Sequence, residues 1–220
     1  MARIGLLGGS FNPAHRGHRR ISLAAIDALG LDEVWWLVSP GNPLKVGAKD
    51  MAPFDARFAS AERMAKRAPI LVSDFEQRAG TRYTVDTVRE LKRRHSEQHF
   101  IWLLGSDTLA NFHQWRDWRG LARQLPIAVI RRPGYDSAAH AARAMGWLRR
   151  FVHPSSQAHH WTDWSAPAIL FLRLPPDPTS ATAIRAHDPN WHLRTKGRDV
   201  RSHRFGSPIS PRRPLDRTSC

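Results

Sequence analysis

The chain has one cysteine among its 220 residues and no apolar run long enough to span a membrane. The cysteine is Cys220, which excludes an internal disulfide and is typical of a reducing compartment. The N-terminus also lacks the basic segment followed by an apolar stretch that marks a secretory signal. We therefore expect a cytoplasmic protein that does not have a membrane as its partner.

Acidic residues are scarce as well. The chain has 19 Asp and Glu against 34 Lys and Arg, which gives a formal net charge of +15 and a pI of about 11.4. A field of this sign concentrates anions near the surface, and nucleotides and nucleic acids both qualify. Arginine spread over solvated helix faces would give the same charge. The charge alone indicates an anionic partner without identifying it.

Apolar runs alternate with helical spacing over most of the chain. Strand-like runs occupy 3–7, 34–38, 70–73, 100–104, 127–130 and 169–172, and helical spacing occupies 18–29, 55–67, 84–95, 108–124 and 138–150. Apolar strands joined by helices predict a single α/β domain, in which right-handed crossovers build a doubly wound, mostly parallel sheet. Ligands of this architecture lie beyond the carboxyl ends of the strands.

The composition changes at residue 186. The last 35 residues contain eight Lys and Arg, three Asp and four Pro, with little apolar periodicity. Such a segment cannot bury enough apolar surface to fold by itself. We expect a folded domain over 1–185 and a basic, poorly ordered tail over 186–220.

The most informative segment is GGSFNPAHRGH, which follows the first strand at residues 8–18. Its glycines would let the backbone approach a phosphate, and His18 is expected at a helix N-terminus, which favours negative charge. The imidazoles of His15 and His18 can donate to phosphate oxygens. A glycine turn that serves packing, with capping or solvated histidines, is the alternative. A zinc site is not favoured, because H-x-G-H would need further ligands and the one cysteine is remote.

Two further segments present polar groups. The loop SPGNPLK after the second strand offers an amide, Asn42, and a cation, Lys45, although it can equally be a turn with a solvated lysine. The segment RYTVDT opens a helix, for which Thr84 is the expected N-cap.

Three more candidates lie near the ends of later elements. Asp107 follows the fourth strand and suits a sugar hydroxyl, or it caps the next helix. Trp115 and Trp118 are three residues apart on one predicted helical face, as core residues or as a stacking surface for a heterocycle. TSATAIR places small hydroxyl residues one turn before Arg185, which predicts a second phosphate cradle or, alternatively, an N-cap with a surface arginine.

Five motifs occur in the order GGSFNPAHRGH, GNPLK, RYTVDT, LGSDTLANFHQW and TSATAIR. In this order they resemble the motifs of the bacterial nicotinate-nucleotide adenylyltransferases, a family of the H-x-G-H nucleotidyltransferase superfamily. The resemblance covers about residues 3–185 and implies a Rossmann-like nucleotidyltransferase fold. It implies transfer of the adenylyl group of ATP to nicotinate mononucleotide, giving deamido-NAD and pyrophosphate in NAD biosynthesis. It also implies that Mg²⁺ is carried by ATP, without protein ligands.

The resemblance implies a role for each matching residue. His15, His18 and Arg185 would be catalytic, with His18 at the α-phosphate. The residues that would hold ATP are Gly8, Gly9, Ser10, Phe11, His15, His18, Gly105, Asp107, Thr182 and Arg185. Within this set, Asp107 would bind the ribose, and Thr182 and Arg185 the β- and γ-phosphates. The residues that would surround the mononucleotide are Asn42, Lys45, Tyr83, Thr84 and Trp115. Trp115 would stack on the pyridine ring, and backbone N–H groups near Thr84 would receive its carboxylate.

The chain departs from the family pattern at three places. Asn12 stands where members often carry Asp, and Ala181 where a second hydroxyl is usual. The family generally continues into a short hydrophobic helix and a Tyr-containing end, which 186–220 does not show.

Three alternatives stay open. A sister transferase that moves AMP or CMP to another phosphate, such as phosphopantetheine, would share the ATP half but not need RYTVDT or Trp115. A nucleic-acid-binding protein fits the high pI, but the chain has no aromatic-basic RNA motif, so we do not expect nucleic acid as the partner. A catalytically impaired relative would explain the atypical tail.

Overall fold

Six parallel strands form one sheet in the computed structural model, which describes residues 1–41, 50–131, 139, 141–173 and 179–195. The strands are β1 (Ala2–Gly9), β2 (Glu33–Val38), β3 (Ile70–Ser73), β4 (Gln98–Gly105), β5 (Ile127–Arg131) and β6 (Ile169–Arg173). Their order is β3-β2-β1-β4-β5-β6, and every pairing is parallel. The chain therefore reverses its winding between β1 and β4. This confirms the predicted doubly wound sheet.

Helices connect the strands and cover both faces of the sheet. They are α1 (Arg16–Leu29), α2 (Phe54–Ala65), α3 (Phe75–Ala79), α4 (Thr84–Arg94), α5 (Ser106–Leu109), α6 (Trp118–Ala122), α7 (Met145–Leu148) and α8 (Ala181–His187). Short 3₁₀ helices cover Phe112–Gln114, Arg149–Phe151, Ser155–Asp163 and Trp191–Arg194. None of the helices in the described ranges is both long and apolar enough to cross a bilayer.

The strands bury side chains on both of their faces. On β1, Leu6 faces one apolar cluster, and its neighbour Leu7 faces the other. On β4, Trp102 and Ile101 divide between the same two clusters. This alternation explains why the strands appear in the sequence as near-continuous apolar runs.

The single helix expected over 108–124 is wrong. The structure has α5, a 3₁₀ turn and α6 in this region, with a break between Trp115 and Trp118. Asp117 causes the break: its backbone is left-handed (φ 44°), and its carboxylate accepts from the N–H of Gly120 at 3.0 Å. A side chain that caps a new helix in this way competes with continuation of the old one. The two tryptophans therefore do not share one helical face.

The expected boundary after residue 185 does not coincide with the end of the folded part. Helix α8 continues to His187, and Trp191 is buried against Ala52 and Ala56, the latter on α2. Arg63 of α2 donates to the hydroxyl of Thr195 at 2.9 Å. Trp191 holds this short segment against the domain. A single buried aromatic residue does not change the average composition of 186–220, so the composition does not predict this contact. Residues 196–220 lie outside the described part.

Candidate active site

The ends of β1, β2 and β4 meet where the sheet reverses its winding. Gly8 and Gly9 end β1 beside the end of β2, and the N–H of Ser39 donates to the carbonyl of Gly9 at 3.0 Å. A methyl group on Gly8 would lie 2.9 Å from the indole of Trp102 on β4, so any other residue there would have to displace that ring. The described residues that directly follow these strands therefore lie at one edge of the sheet, where the strand pattern predicts a ligand site.

His15 and His18 contact each other at the N-terminus of α1, through a hydrogen bond and through their rings. His15 is the N-cap, and its Nδ1 accepts from the N–H of Gly17 at 3.1 Å. The N–H of His15 in turn donates to Nδ1 of His18 at 3.2 Å, and the ring centroids are 3.9 Å apart. An accepting Nδ1 carries no hydrogen, so each neutral imidazole has its hydrogen on Nε2. The pair thus supplies two Nε2–H donors at a helix N-terminus. His18 lies at this helix N-terminus, where the sequence analysis predicts it.

Phe11 holds the loop before α1 in an unusual conformation. Its backbone is left-handed (φ 47°), and its buried ring packs 5.0 Å from Trp36 and 4.9 Å from His18, measured between centroids. A non-glycine residue with positive φ persists only where surrounding contacts fix it. Gly9 and Ser10 precede it and are half-buried, so their backbone remains reachable from solvent.

The segment TSATAIR lies against the H-x-G-H segment. Its Ser180 is the N-cap of α8 and accepts from the N–H of Ala183 at 3.1 Å. A methyl group on Gly17 would lie 3.4 Å from the carbonyl of Thr179. Arg185 donates to the carbonyl of Asn12 at 2.7 Å. The structure thus brings the two predicted phosphate cradles side by side.

Asp50 is a neighbour of this cradle that sequence reasoning missed. Its carboxylate accepts from Nε of Arg185 at 3.0 Å and from Nη2 at 2.9 Å. Its backbone carbonyl accepts from the side chain of Asn12 at 2.8 Å. Thr182, one turn before Arg185, is exposed. No sequence signal links positions 50 and 185, because only the folded chain makes them neighbours.

The remaining predicted residues lie around the other strand ends. Tyr83, rather than Thr84, is the N-cap of α4, which has no side-chain cap hydrogen bond; Thr84 is the first helical residue. The guanidinium of Arg116 lies 4.6 Å from the ring centroid of Tyr83. Because Arg116 directly follows Trp115, this contact places the backbone of Trp115 near the start of α4. Trp115 is half-buried and packs edge-on against Trp102 at 6.3 Å. Asn42 and Lys45 lie outside the described residues.

Gly105 and Asp107 occupy the end of β4 and the first turn of α5. Both are half-buried, so they lie at the surface of the strand ends rather than in the core. Asp107 is thus at a strand tip, where the sequence analysis expects it.

Glu76 on α3 is a buried acid that the sequence analysis did not select. Burial raises the pKa of its carboxyl to about 7, although hydrogen bonds from Thr87 and Ser39 oppose the rise. These partners come from α4 and from the loop after β2, so Glu76 lies between two segments of the proposed mononucleotide site. The sequence contains no signal for this residue, because the apolar residues around Glu76 show no clear periodicity.

Comparisons with known proteins agree with the motifs. The cytidylyltransferase-like family matches residues 6–187. A probable nicotinate-nucleotide adenylyltransferase of Erythrobacter litoralis is 57% identical over 192 residues, which are 87% of each chain. The corresponding protein of Parvibaculum lavamentivorans is 48% identical over 87% of this chain and 94% of its own. The Plasmodium falciparum nicotinic acid mononucleotide adenylyltransferase complexed with NaAD has a TM-score of 0.63 at 17% identity, covering 84% of this chain and 83% of that one.

Proposed function

Because this chain belongs to the nicotinate-nucleotide adenylyltransferase family, we propose that it transfers the adenylyl group of ATP to nicotinate mononucleotide. The products are deamido-NAD and pyrophosphate. The observation that carries the proposal is the meeting of two phosphate-binding segments, in which Arg185 and the His15–His18 pair lie around one loop. Glycines, a helix N-terminus and a guanidinium together suit a triphosphate.

The chemistry needs no covalent enzyme intermediate. An oxygen of the mononucleotide phosphate attacks the α-phosphorus of ATP, and the bond from that phosphorus to the bridging oxygen breaks. The electron pair of this bond leaves with pyrophosphate. The attacking phosphate is already anionic near neutral pH, so the protein contributes in-line positioning and stabilisation of growing charge. The Nε2–H groups of His15 and His18 and the guanidinium of Arg185 are the donors that we assign to that charge.

We assign the other residues by their place around this centre. The backbone of Gly8, Gly9, Ser10 and Phe11 supports the phosphates, and Gly105 and Asp107 receive the adenosine ribose. Thr182 joins Arg185 at the β- and γ-phosphates. We assign Tyr83, Thr84 and Trp115 to the pyridine ring, and Asn42 and Lys45 complete our assignment for the mononucleotide.

We propose that Mg²⁺ enters with ATP as part of the substrate. In the described ranges, no group of three or more His, Cys, Asp or Glu side chains could hold a metal ion. The cation would neutralise phosphate oxygens while the protein donors act on the α-phosphate.

The proposal is tested by following two labels of ATP. With ATP labelled at the α-phosphate, magnesium and nicotinate mononucleotide, we expect the label in deamido-NAD; a γ-label should appear in pyrophosphate. Reactions without mononucleotide control for hydrolysis of ATP. Label that appears in inorganic phosphate or AMP, or that stays in ATP, would contradict the proposed reaction.

A further inference from the structure

Arg57 of α2 is a fully buried arginine that joins three separate segments. Its side chain is 1% exposed. The guanidinium donates to the carbonyls of Ser10 at 2.7 Å, Ser39 at 2.8 Å, Ala52 at 3.0 Å and Pro40 at 3.3 Å. Ser10 lies in the glycine loop after β1, whereas Ser39 and Pro40 lie in the loop after β2. One side chain therefore bridges the two loops that we assign to ATP and to the mononucleotide.

The burial of this charge is costly and is not needed to fill the core. Among the described residues no carboxylate pairs with Arg57, and burial lowers the pKa of its guanidinium. Methionine or leucine would fill a similar volume without removing a cation from water. What an apolar side chain cannot do is donate to four carbonyls in fixed directions, because the planar guanidinium carries five N–H groups.

Neighbouring contacts reinforce the same bridge. The side chain of Asn12 donates to the carbonyl of Asp50 and accepts from the N–H of Ala52. Asn12, two residues after Ser10, is thus tied to the short stretch 50–52, which includes the Ala52 that Arg57 contacts. The network connects the loops beyond the last backbone hydrogen bond between β1 and β2, from the N–H of Ser39 to the carbonyl of Gly9.

We infer that Arg57 is a positioning residue: it sets the distance between the loop that holds ATP and the loop that holds the acceptor phosphate. The inference rests on the proposed function. In-line attack requires the acceptor oxygen to lie about 3 Å from the α-phosphorus, and a misplacement of about 1 Å costs roughly 100-fold in rate. The buried charge also contacts the glycine loop itself, through the carbonyl of Ser10, and a positive charge there favours anions.

The test compares Arg57→Met and Arg57→Lys with Arg3→Met as the matched control. Arg3 also donates to backbone carbonyls, of Leu29 at 2.8 Å and of His159, but it lies at the start of β1, at the opposite end of the strand from Ser10. Steady-state kinetics give kcat and the KM for each substrate, thermal unfolding gives stability, and equilibrium dialysis gives ATP affinity without acceptor. We expect Arg57→Met to lower kcat by about 100-fold, because the reacting atoms are misplaced, and to weaken ATP binding. Arg57→Lys should fall between Met and wild type. Arg3→Met should lower only stability.

The outcomes separate the inference from the proposed function. If Arg57→Met does not fold, Arg57→Lys carries the test, because lysine keeps the charge but cannot bridge four carbonyls. The inference is overturned if folded Arg57 variants keep kcat within about twofold of wild type, or if Arg3→Met lowers kcat equally. If wild type does not use nicotinate mononucleotide but Arg57→Met still weakens ATP binding relative to wild type and Arg3→Met, the proposed function fails and the role of Arg57 stands. Unchanged ATP binding in Arg57→Met overturns that role.

Discussion

At the scale of single residues, hydrogen bonding decides which ring nitrogen of His15 and of His18 carries the hydrogen. Both Nδ1 atoms accept from backbone N–H groups, so Nε2 is the donor in each ring. The sequence predicts a histidine at the helix N-terminus but contains no signal for the tautomer. That choice depends on the geometry of the His15 cap.

Substitution of His18 tests whether the Nε2–H group stabilises charge in the transition state. We expect His18→Ala to lower kcat by about 100-fold, the scale of losing one such donor. His18→Asn is the control, because its amide oxygen can replace Nδ1 as the acceptor for the His15 N–H while the Nε2 donor is lost. Both variants should lose activity to a similar extent. An Asn variant with turnover within a few-fold of wild type would show that His18 only caps the helix.

Trp115 is tested against a second tryptophan that packs on the same phenylalanine. The rings of Trp115 and Trp118 lie 5.4 Å and 5.8 Å from the Phe112 ring, measured between centroids. We expect Trp115→Ala to raise the KM for the mononucleotide about tenfold, the scale of one lost base-stacking contact, with the KM for ATP unchanged. Trp118→Ala should lower the melting temperature and leave both KM values unchanged. A mononucleotide KM that stays at the wild-type value in Trp115→Ala would make Trp115 a core residue only.

At the scale of elements, the sequence pattern predicts a helix correctly where interactions within the helix itself set its ends. Helix α1 follows its apolar spacing and ends at Gly30, whose left-handed backbone (φ 60°) only glycine adopts readily. The predicted helix over 108–124 fails because one side-chain cap at Asp117 outweighs the helical pattern. The sequence analysis does not select three further residues, Asp50, Arg57 and Glu76, for a different reason. Their partners are brought close only by the fold.

Glu76 should make the stability of the protein depend on pH. Its carboxyl has a pKa of about 7 in the folded protein against 4.5 ordinarily, so the folded state keeps a proton that the unfolded chain releases. The free energy of unfolding therefore falls as the pH rises from about 4.5 to 7, by about 3 kcal/mol for this group. Glu76→Gln stays neutral and removes that fall. Urea unfolding of wild type and variant at pH 4.5 and 8 measures it.

The expected result is a gain in relative stability of Glu76→Gln at the higher pH. Glu97→Gln, which changes an exposed carboxyl, is the control and should track wild type at both pH values. A stability difference between Glu76→Gln and wild type that is the same at pH 4.5 and pH 8 would show that folding does not raise the pKa of this carboxyl.

At the scale of the whole molecule, strand order brings the motifs together. The segments after β1, β2 and β4 meet because these strands are neighbours in the sheet, with the winding reversed between β1 and β4. The general rule for doubly wound sheets predicts this position from the strand pattern alone. It does not predict the contact of Arg185 with Asn12, which joins residues 173 positions apart. The net charge of +15 fits anionic substrates but does not select them.

The measurement that tests the central claim most directly is acceptor selectivity. Pyrophosphate release from ATP and Mg²⁺ is followed with nicotinate mononucleotide, nicotinamide mononucleotide and phosphopantetheine offered separately, and kcat/KM is compared. We predict that nicotinate mononucleotide exceeds either of the others by at least about 100-fold, because donors that receive its carboxylate are left unpaired by the analogues. Faster release with phosphopantetheine, or no release with any of the three, would contradict the account.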